Sequence, residues 1–324
     1  MKTIAIAAGG NSSEYEISLK SAGEVYAVLS SRYDVYVIII RGLNWYWEDQ
    51  KGMYHNIDKN DFTLITDDKK IRFDGVFIAI HGTPGENGLL QGYFDMLNIP
   101  YTSCSSFCSA LTFNKHACKL FLKDYRIPVA DAIMIRNDEK PDVDTIISQT
   151  GLPCFVKPND SGSSFGVTKV KEKEELLPAI EVAFRESNEV MIEKFLDGRE
   201  VACGVVKTKD RSLVLPVTEI ISENEFFDYD AKYTPGKSDE VTPADMPPAV
   251  ISEIQKLSLK IYNLLGCEGI VRVDFIVIIG KPFFLEINTI PGLTPESIIP
   301  KQAAAFGISL EDLYSMVVEE MFQL

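Results

Sequence analysis

Apolar runs and helical patterns alternate over the first hundred residues of the chain. Residues 3–8, 35–40 and 76–80 form short, continuous apolar runs of the kind that buried strands show. Residues 17–29 and 89–97 instead repeat apolar side chains at helical spacing. Strands that alternate with helices predict a parallel, doubly wound sheet, which binds its ligands beyond the carboxyl ends of the strands.

The pattern changes at about residue 104, where strands, a charged helix and polar loops follow one another. A Gly/Ser loop spans 159–166, and a polar stretch with four prolines spans 222–248. Loops as long as the second are typically functional or disordered. The chain has 324 residues, which is about twice a typical domain. We expect an N-terminal doubly wound α/β domain at 1–103 and two further parts at 104–188 and 189–324.

The last two predicted strands form a hairpin that places acidic side chains opposite one another. Alternation along a strand puts Arg272 and Asp274 on one face, and Glu286 and Asn288 on one face of the neighbouring strand. If residues 279–281 form the turn, residue 274 faces 286 and residue 272 faces 288.

Two opposed carboxylates repel each other unless a cation lies between them. A ligand set made only of Asp, Glu and Asn oxygens suits Mg²⁺, with substrate phosphates completing the shell. We therefore predict that Asp274, Glu286 and Asn288 form a metal site.

The charge balance narrows the class of ligand. The chain has 32 Lys and Arg against 47 Asp and Glu, a net charge of −15, so it is not expected to coat nucleic acid or an anionic membrane. An anionic ligand would need locally concentrated cations or a metal. No apolar run is long enough to span a bilayer. The six cysteines lack C-x-x-C spacing, so we expect reduced, structural cysteines in a cytoplasmic protein.

Lys157 ends a predicted strand just before the Gly/Ser loop, whose backbone N–H groups and hydroxyls suit phosphate oxygens. The loop is not a Walker loop, because no Gly-Lys-Ser/Thr follows its glycines. Gly9-Gly10 also lacks the G-x-G-x-x-G fingerprint of dinucleotide-binding proteins. These patterns by themselves leave the ligand open.

Motifs along nearly the whole chain, taken together and in order, resemble the D-alanine–D-alanine ligases of the ATP-grasp superfamily. The matching segments are 9–19, 81–92, 157–158 with 162–164, 193–200, 227–233, 272–275 and 286–297. Asn87, Asn114 and Ile298 depart from the commoner Asp, Asp and Leu, but none removes a charged group that contacts substrate in the family. The resemblance implies a two-part ATP-grasp α+β fold after the first domain.

The resemblance implies a reaction for peptidoglycan precursor synthesis. ATP would phosphorylate the carboxylate of one D-alanine, and the amine of a second D-alanine would attack the acyl phosphate to give a dipeptide. Lys115, Lys157 and, from the 222–248 loop, Lys232 would hold the ATP phosphates. Glu193 would accept from the adenine amino group, and Glu200 would bind the ribose. The remaining nucleotide contacts would be Ser163, Ser164, Lys194, Phe195, Leu196 and Phe227. The predicted metal residues would bind two Mg²⁺ ions, for which Mn²⁺ could substitute.

For the first D-alanine, the resemblance implies that Glu14 pairs with the ammonium and that His81 lies near the substrate. Ser163 and Tyr233 would join Glu14 in a hydrogen-bonded triad that closes the 222–248 loop over the site. Glu14 alone also fits a helix capping box in which Asn11 is the N-cap residue.

For the second D-alanine, the resemblance implies that Ser297 and the N–H of Ile298 hold the carboxylate. Arg272 and the Gly292 N–H would stabilise the tetrahedral oxyanion. The family is commonly homodimeric through the first domain, so a homodimer is expected.

Alternatives come from the same superfamily and from other classes. The nearest is a ligase that joins D-alanine to D-lactate as an ester, or another ATP-grasp carboxylate–amine ligase. Tyr233 favours the peptide product, because depsipeptide-forming relatives resemble the loop around it less well. The intact set of acids and lysines disfavours an inactive nucleotide-binding module. The missing glycine fingerprint disfavours an NAD-dependent oxidoreductase.

Overall fold

The computed structural model describes residues 1–67, 69–162, 165–222 and 238–323, which fold around three β-sheets. The strands are β1 (Thr3–Gly9), β2 (Asp34–Arg41), β3 (Asn44–Glu48), β4 (Tyr54–Asp58), β5 (Thr63–Ile65), β6 (Lys70–Ile71), β7 (Gly75–Ile78), β8 (Ala132–Arg136), β9 (Cys154–Pro158), β10 (Thr168–Val170), β11 (Glu189–Lys194), β12 (Arg199–Lys207), β13 (Ser212–Val214), β14 (Thr218–Ser222), β15 (Ser238–Val241), β16 (Ile270–Ile278) and β17 (Lys281–Asn288). The helices are α1 (Tyr15–Leu29), α2 (Leu89–Leu97), α3 (Ser106–Phe113), α4 (Lys115–Asp124), α5 (Val143–Thr150), α6 (Leu176–Ala183), α7 (Pro248–Leu265), α8 (Ile298–Phe306) and α9 (Leu310–Glu320), with a 3₁₀ turn at Lys173–Glu175.

The first sheet has the strand order β6-β5-β4-β3-β2-β1-β7. The α/β class is confirmed, with β1 parallel to both β2 and β7, and with α1 and α2 where the helical patterns predicted them. The sheet differs from a fully doubly wound one because β2 to β6 pair antiparallel through short turns. Short turns connect antiparallel neighbours, since a parallel pair needs a crossover of a dozen or more residues.

The other two sheets are antiparallel and carry most of the predicted site. The second has the order β10-β9-β11-β8, and the third has the order β15-β14-β12-β16-β17 with β13 beside β12. Residues of α3 and α4 share one apolar core with α7, β12 and β16. The helices that follow the first domain therefore pack on the third sheet rather than on the second.

The hairpin of β16 and β17 has the predicted pairing. Asp274 lies opposite Glu286, and Arg272 lies opposite Asn288. Because directly opposed residues share a face of the sheet, the acid pair is built into the backbone register.

Two departures from the predicted hairpin cancel each other. The turn contains only Ile279 and Gly280, whose φ values of 47° and 75° are those of a type I′ turn. A turn one residue shorter shifts the register by one, and a bulge at Leu285, between the pairs that Asp274 and Phe275 make, shifts it back.

One apolar core crosses from the first sheet to the C-terminal helices. Ile4 of β1 shares it with Leu313 and Val317 of α9, and Lys2 Nζ lies 3.6 Å from the ring centroid of Phe322. Helix α9 therefore completes the first domain. No helix in the described ranges is long and apolar enough to cross a membrane.

Candidate active site

The loops after β1 and β7 meet at the carboxyl ends of these parallel strands. The Asn11 N–H donates to Thr83 O (2.8 Å), and Ser12 Oγ donates to His81 O (2.9 Å). Gly10 has φ +95°, and a Cβ there would lie 2.6 Å from the Ile80 side chain, so only glycine fits. The two loops at the predicted ligand edge of the sheet are therefore packed directly against each other.

The predicted capping box at α1 is wrong. Helix α1 begins at Tyr15, with Glu14 as its N-cap residue and no side-chain cap bond. Asn11 Oδ1 accepts instead from the Gly42 N–H (2.7 Å), which ties the first loop to the turn after β2. Strand pairing of β2 with β1 brings this turn to Asn11, and a local motif cannot anticipate that contact.

The Glu14 carboxylate lies between two glycines of different loops and is 9% exposed. A Cβ built on Gly162 would lie 2.6 Å from Glu14 Oε2, and one on Gly82 would lie 3.4 Å from it. The first loop therefore touches the Gly/Ser loop directly. The predicted partners Ser163 and Tyr233 lie outside the described residues.

His81 is buried and hydrogen-bonded on both ring nitrogens. Nδ1 lies 2.8 Å from Ile290 O, which can only accept, so Nδ1 carries the proton and Nε2 accepts from the Ser21 hydroxyl at 3.0 Å. Burial lowers the pKa of His81, against the opposing effect of Glu14. The neutral ring ties α1 to the loop after β17.

Glu86 is a further link between the same loops, although no pattern in the sequence assigned it a role of its own. Its carboxylate accepts from the Gly82 N–H (2.8 Å) and the Ile290 N–H (3.3 Å). Burial, and then the nearby Glu14 charge, raise the pKa of Glu86 to about 7. The Gly85-Glu86 motif after β7 is the sequence feature that could have indicated this role.

The acid pair of the hairpin has a cation on its own strand. Arg272 donates to both oxygens of Asp274, from Nε at 2.8 Å and from Nη2 at 2.7 Å. Asn288 Nδ2 donates to Asp274 Oδ2 at 3.0 Å. Although burial favours the neutral form, Asp274 and then Glu286 raise the pKa of Arg272. Arg272, Asp274 and Asn288 thus form one hydrogen-bonded network, and Glu286 lies opposite Asp274.

These residues fit Mg²⁺ by the chemistry of their donors. Asp274 is 2% exposed and already paired with Arg272, and Glu286 stands opposite it. Two opposed carboxylates favour a cation between them. Every metal-ligating atom that Asp274, Glu286 and Asn288 can offer is an oxygen, the ligand type that Mg²⁺ prefers.

The nucleotide side is centred on Glu193, which lies between two lysines. Lys157 Nζ is 2.7 Å from Glu193 Oε2, and Lys119 Nζ is 2.5 Å from Oε1. Burial opposes the charge, but Lys119 and Lys157 together lower the pKa of Glu193. Sequence reasoning missed Lys119, whose spacing of four residues from Lys115 on a helix was the only signal.

Lys157 also lies within the electrostatic reach of the metal residues. Burial opposes its charge, but Glu193 first, and then Glu286 and Glu200, raise the pKa of Lys157. Glu200 lies on β12, directly paired with Ile276 of β16. The predicted phosphate, ribose and metal groups are therefore brought together across two sheets.

The segment predicted to read adenine follows β11 and is lined by aromatic rings. The Phe155 and Phe195 centroids are 5.9 Å apart, and Lys169 Nζ lies 4.1 Å from the Phe195 centroid. The Lys194 N–H donates to Asp131 O at 2.9 Å, which fixes the backbone ahead of Leu196. This arrangement places two mutually inclined aromatic rings next to the strand that carries Glu193.

Lys115 is the first residue of α4 and reaches the Gly/Ser loop, where Nζ donates to Ser161 O. Asn114 caps the helix through the Ala117 N–H (2.9 Å), so this departure from the commoner Asp keeps the cap. Buried Asn159 accepts from the His116 N–H at 2.9 Å, which joins the loop to the helix a second time.

The residues predicted for the second substrate lie at the start of α8. A Cβ on Gly292 would lie 2.6 Å from Ser297 Oγ, and that hydroxyl is 2.9 Å from Thr294 Oγ1. Ser297 and Ile298 are the N-cap and first residue of α8, where helix N–H groups favour an anion. Buried Gln302 holds the helix to β12 by accepting from the Gly204 N–H at 2.9 Å.

The structure therefore brings the first-loop, hairpin, lysine and α8 residues into one site. The predicted residues outside the described ranges are Ser163, Ser164, Phe227, Lys232 and Tyr233, together with positions 223–237 of the expected mobile loop. The residues that sequence reasoning missed are Ser21, Lys119 and the contacts of Glu86.

The first domain has parallel strands at one edge of its sheet, and two antiparallel sheets follow it. These two sheets carry the acidic hairpin and the lysine-paired Glu193. The arrangement is that of an ATP-grasp ligase. Two family models match the chain: D-ala D-ala ligase N-terminus over residues 3–104 and D-ala D-ala ligase C-terminus over residues 121–319. The chain therefore belongs to the D-alanine–D-alanine ligase family.

Individual relatives agree over almost the full length. The chain is 48% identical to the D-alanine–D-alanine ligase of Phocaeicola vulgatus, covering 99% of each chain. It is 48% identical to that of Flavobacterium johnsoniae, covering 98% of this chain and 99% of the other. Similar solved structures include the VanG D-Ala:D-Ser ligase of Enterococcus faecalis (TM-score 0.88, 34% identity, 99% of both chains). Another is the D-alanine–D-alanine ligase of Bacillus anthracis complexed with ATP (TM-score 0.79, 29% identity, 100% and 98%).

Proposed function

We propose that this chain is an ATP-dependent, ADP- and phosphate-forming ligase that joins two D-alanine molecules into D-alanyl-D-alanine for peptidoglycan precursors. The observation that carries the proposal is the hairpin in which Asp274 opposes Glu286 while Arg272 lies beside them. That arrangement supports phosphoryl chemistry and an oxyanion at one place. The relatives at 44–48% identity bear the name of the dipeptide ligase, which favours the peptide over the D-lactate ester.

In the first step the chain's own residues bind and orient ATP. Lys115, Lys157 and Lys232 hold the phosphates, Glu193 accepts from the adenine amino group and Glu200 binds the ribose. The Gly/Ser loop, the backbone at 194–196 and Phe227 complete the nucleotide contacts. Two Mg²⁺ ions, or Mn²⁺ in their place, held by the predicted metal residues supply positive charge to the phosphate oxygens when bound.

In the same step the first D-alanine is oriented for phosphorylation. Glu14 pairs with its ammonium, close to neutral His81, so that a carboxylate oxygen faces the γ-phosphate. The oxygen–phosphorus bond forms as the bond to ADP breaks, which leaves an acyl phosphate.

In the second step the amine of another D-alanine attacks the carbonyl carbon. Ser297 and the Ile298 N–H at the start of α8 hold its carboxylate. Arg272 and the Gly292 N–H stabilise the oxyanion, and the carbon–oxygen bond to phosphate breaks as the amine loses a proton. The loop at 222–248 closes through Tyr233, Ser163 and Glu14, which keeps water from the acyl phosphate.

Two further parts of the proposal concern the assembly and the compartment. Leu89 and Met96 of α2 and Phe107 of α3 are large apolar residues that are 64%, 77% and 72% exposed, which supports a homodimer through this face. The six cysteines are free and buried, which supports the reducing cytoplasm.

The test is phosphate release from ATP and Mg²⁺ with D-alanine, L-alanine, D-lactate or D-serine supplied separately, with products counted by mass. D-alanine is expected to support turnover and L-alanine is not. Equal rates with the two enantiomers would overturn the proposal. D-serine is included because the VanG neighbour is a D-Ala:D-Ser ligase.

The role of the loop is tested by Tyr233→Phe, which keeps the ring and removes one hydroxyl. With D-alanine and D-lactate at equal concentration, the variant is expected to give less dipeptide and measurable ester. Tyr54→Phe, at an exposed tyrosine of the first sheet, is the matched control. An unchanged product ratio in Tyr233→Phe would exclude this role.

A further inference from the structure

Three of the six cysteines converge at a place that the proposed ligase mechanism does not use. Cys104, Cys108 and Cys267 have sulfur atoms that all lie within 4.8 Å of one another, and Cys108 Sγ is 3.8 Å from Cys267 Sγ. The last two are 159 residues apart in sequence, so the cluster is made by tertiary packing of α3 against the end of α7. Cysteines that merely fill a core have no need to meet.

We infer that Cys104, Cys108 and Cys267 form a binding site for a soft, thiophilic cation of the Zn²⁺ or Cu⁺ type. Metal–sulfur bonds of about 2.3 Å impose sulfur separations of roughly 3.8–4.0 Å around one ion, which matches the 3.8 Å between Cys108 and Cys267. Three thiolates complete a trigonal Cu⁺ site or fill three of the four positions around Zn²⁺. No cation is assigned to this cluster by the ligase mechanism.

Backbone contacts hold the sulfur of Cys104 in place before any ion arrives. Cys104 Sγ donates to Glu268 O (3.3 Å) and accepts from the Glu268 N–H (3.4 Å), so its position is fixed by backbone. Ser105 caps α3 by accepting from the Cys108 N–H at 3.3 Å. Cys267 is the most exposed of the three, at 7%.

The position of the cluster gives the ion a structural role. Cys104 lies where the chain leaves the first domain, and Cys267 lies just before β16. Gly269, two residues on, packs so closely against Thr102 that a Cβ has no room. One ion would therefore cross-link the two places where the first domain joins the third sheet, and binding would stabilise the fold by mass action.

The experiment titrates metal-free, reduced protein with Cd²⁺, using a reductant that is not a thiol. Cadmium thiolates absorb in the ultraviolet by charge transfer, whereas Cd²⁺ on the carboxylates of the ligase site does not, so the band reports on the cysteines alone. We expect the band to saturate at one equivalent and the unfolding temperature to rise. Cys108→Ala should weaken binding at least about tenfold, while Cys154→Ala, which removes a buried thiol of the second sheet, should not. Competition by Zn²⁺ and by Cu⁺ then identifies which ion the site prefers.

The absence of a band at excess Cd²⁺, or a band of unchanged strength and affinity in Cys108→Ala, would overturn the inference. If that variant does not fold, alkylation of the natural chain followed by mass spectrometry serves instead. Cd²⁺ should slow modification of Cys104, Cys108 and Cys267 but leave Cys154 unaffected. Equal protection of all four, or of none, would refute the site.

Discussion

Asp274 and Glu193 are buried to the same degree, 2% exposed each, but their charges are held in different ways. Asp274 receives its cation from Arg272 on the same strand, two residues away. Glu193 receives two lysines from other elements, Lys119 on α4 and Lys157 on β9. Alternation along one strand puts Arg272 and Asp274 on the same face. The lysine pair around Glu193 forms only after α4, β9 and β11 have packed together.

The difference changes what each carboxylate can do. Asp274, its cation Arg272 and the opposed Glu286 all lie on one hairpin, which we propose holds the metal. Glu193 has a lysine on each oxygen, and losing either leaves charge buried in an apolar setting. We therefore expect changes at the hairpin to act on turnover, and changes at the lysine pair to act first on stability.

The largest expected effect is at the hairpin. Glu286→Gln keeps the shape of the side chain and removes the charge of a metal ligand, so kcat should fall roughly 10³-fold, the equivalent of about 4 kcal/mol, at saturating Mg²⁺. Unfolding in urea should be almost unchanged. Glu253→Gln, an exposed residue of α7, is the control for the chemical change. Near-normal kcat in Glu286→Gln would show that the hairpin is not the metal site.

The next effect is on the free energy of unfolding. Lys119→Met leaves Glu193 with one lysine and should destabilise the protein by an amount near the lower end of about 3–5 kcal/mol. Lys123→Met, one turn along α4, breaks only an exposed pair with Asp131 and should lose less than about 1 kcal/mol. Adding Glu193→Gln to Lys119→Met should recover part of the loss. A double variant no more stable than Lys119→Met would contradict this account.

The hairpin and the lysine pair also differ in how well their contacts can be predicted from sequence. The pairing of 274 with 286 could be predicted because alternation and turn length are local properties, and even an error of one residue in the turn was offset by the bulge at Leu285. The partners of Glu193 and His81 could not be found that way. Lys119 and Ser21 reach them from helices whose packing no local pattern specifies. The roles proposed for Glu14 and Ser297 come from the family resemblance, because no local pattern assigns them.

A smaller effect is expected at the first loop. Glu14→Gln should weaken binding of the first D-alanine by a charge-assisted hydrogen bond, roughly 1.5–3 kcal/mol or about 10- to 150-fold. The affinity for ATP should hardly change, since Glu14 is not among the proposed ATP contacts. Glu16→Gln, exposed on the same helix, is the control, and calorimetric titration measures both ligands. Equal losses for ATP and D-alanine would mean that the variant damages the fold.

The smallest effect concerns His81 and pH. Its pKa is lowered from 6.5 mainly by burial, so the unfolded chain binds the proton more readily than the folded one. The stability that neutral His81 contributes is fully present above pH 6.5 and is lost as pH falls through the folded-state pKa. Relative to His81→Gln, the natural chain should lose unfolding free energy on acidification below pH 6.5. A difference between the two that does not vary with pH would contradict a neutral, buried ring.

Helix α9 closes the core of the first domain although about two hundred residues separate it from that domain in sequence. During synthesis, α1 and β1 leave the ribosome long before the residues that cover them. Their apolar face stays exposed to solvent, or bound by a chaperone, until α9 has been synthesised. The first domain therefore cannot complete its core in the order in which the chain is synthesised. A chain truncated before residue 310 lacks α9, so its first domain has an incomplete core.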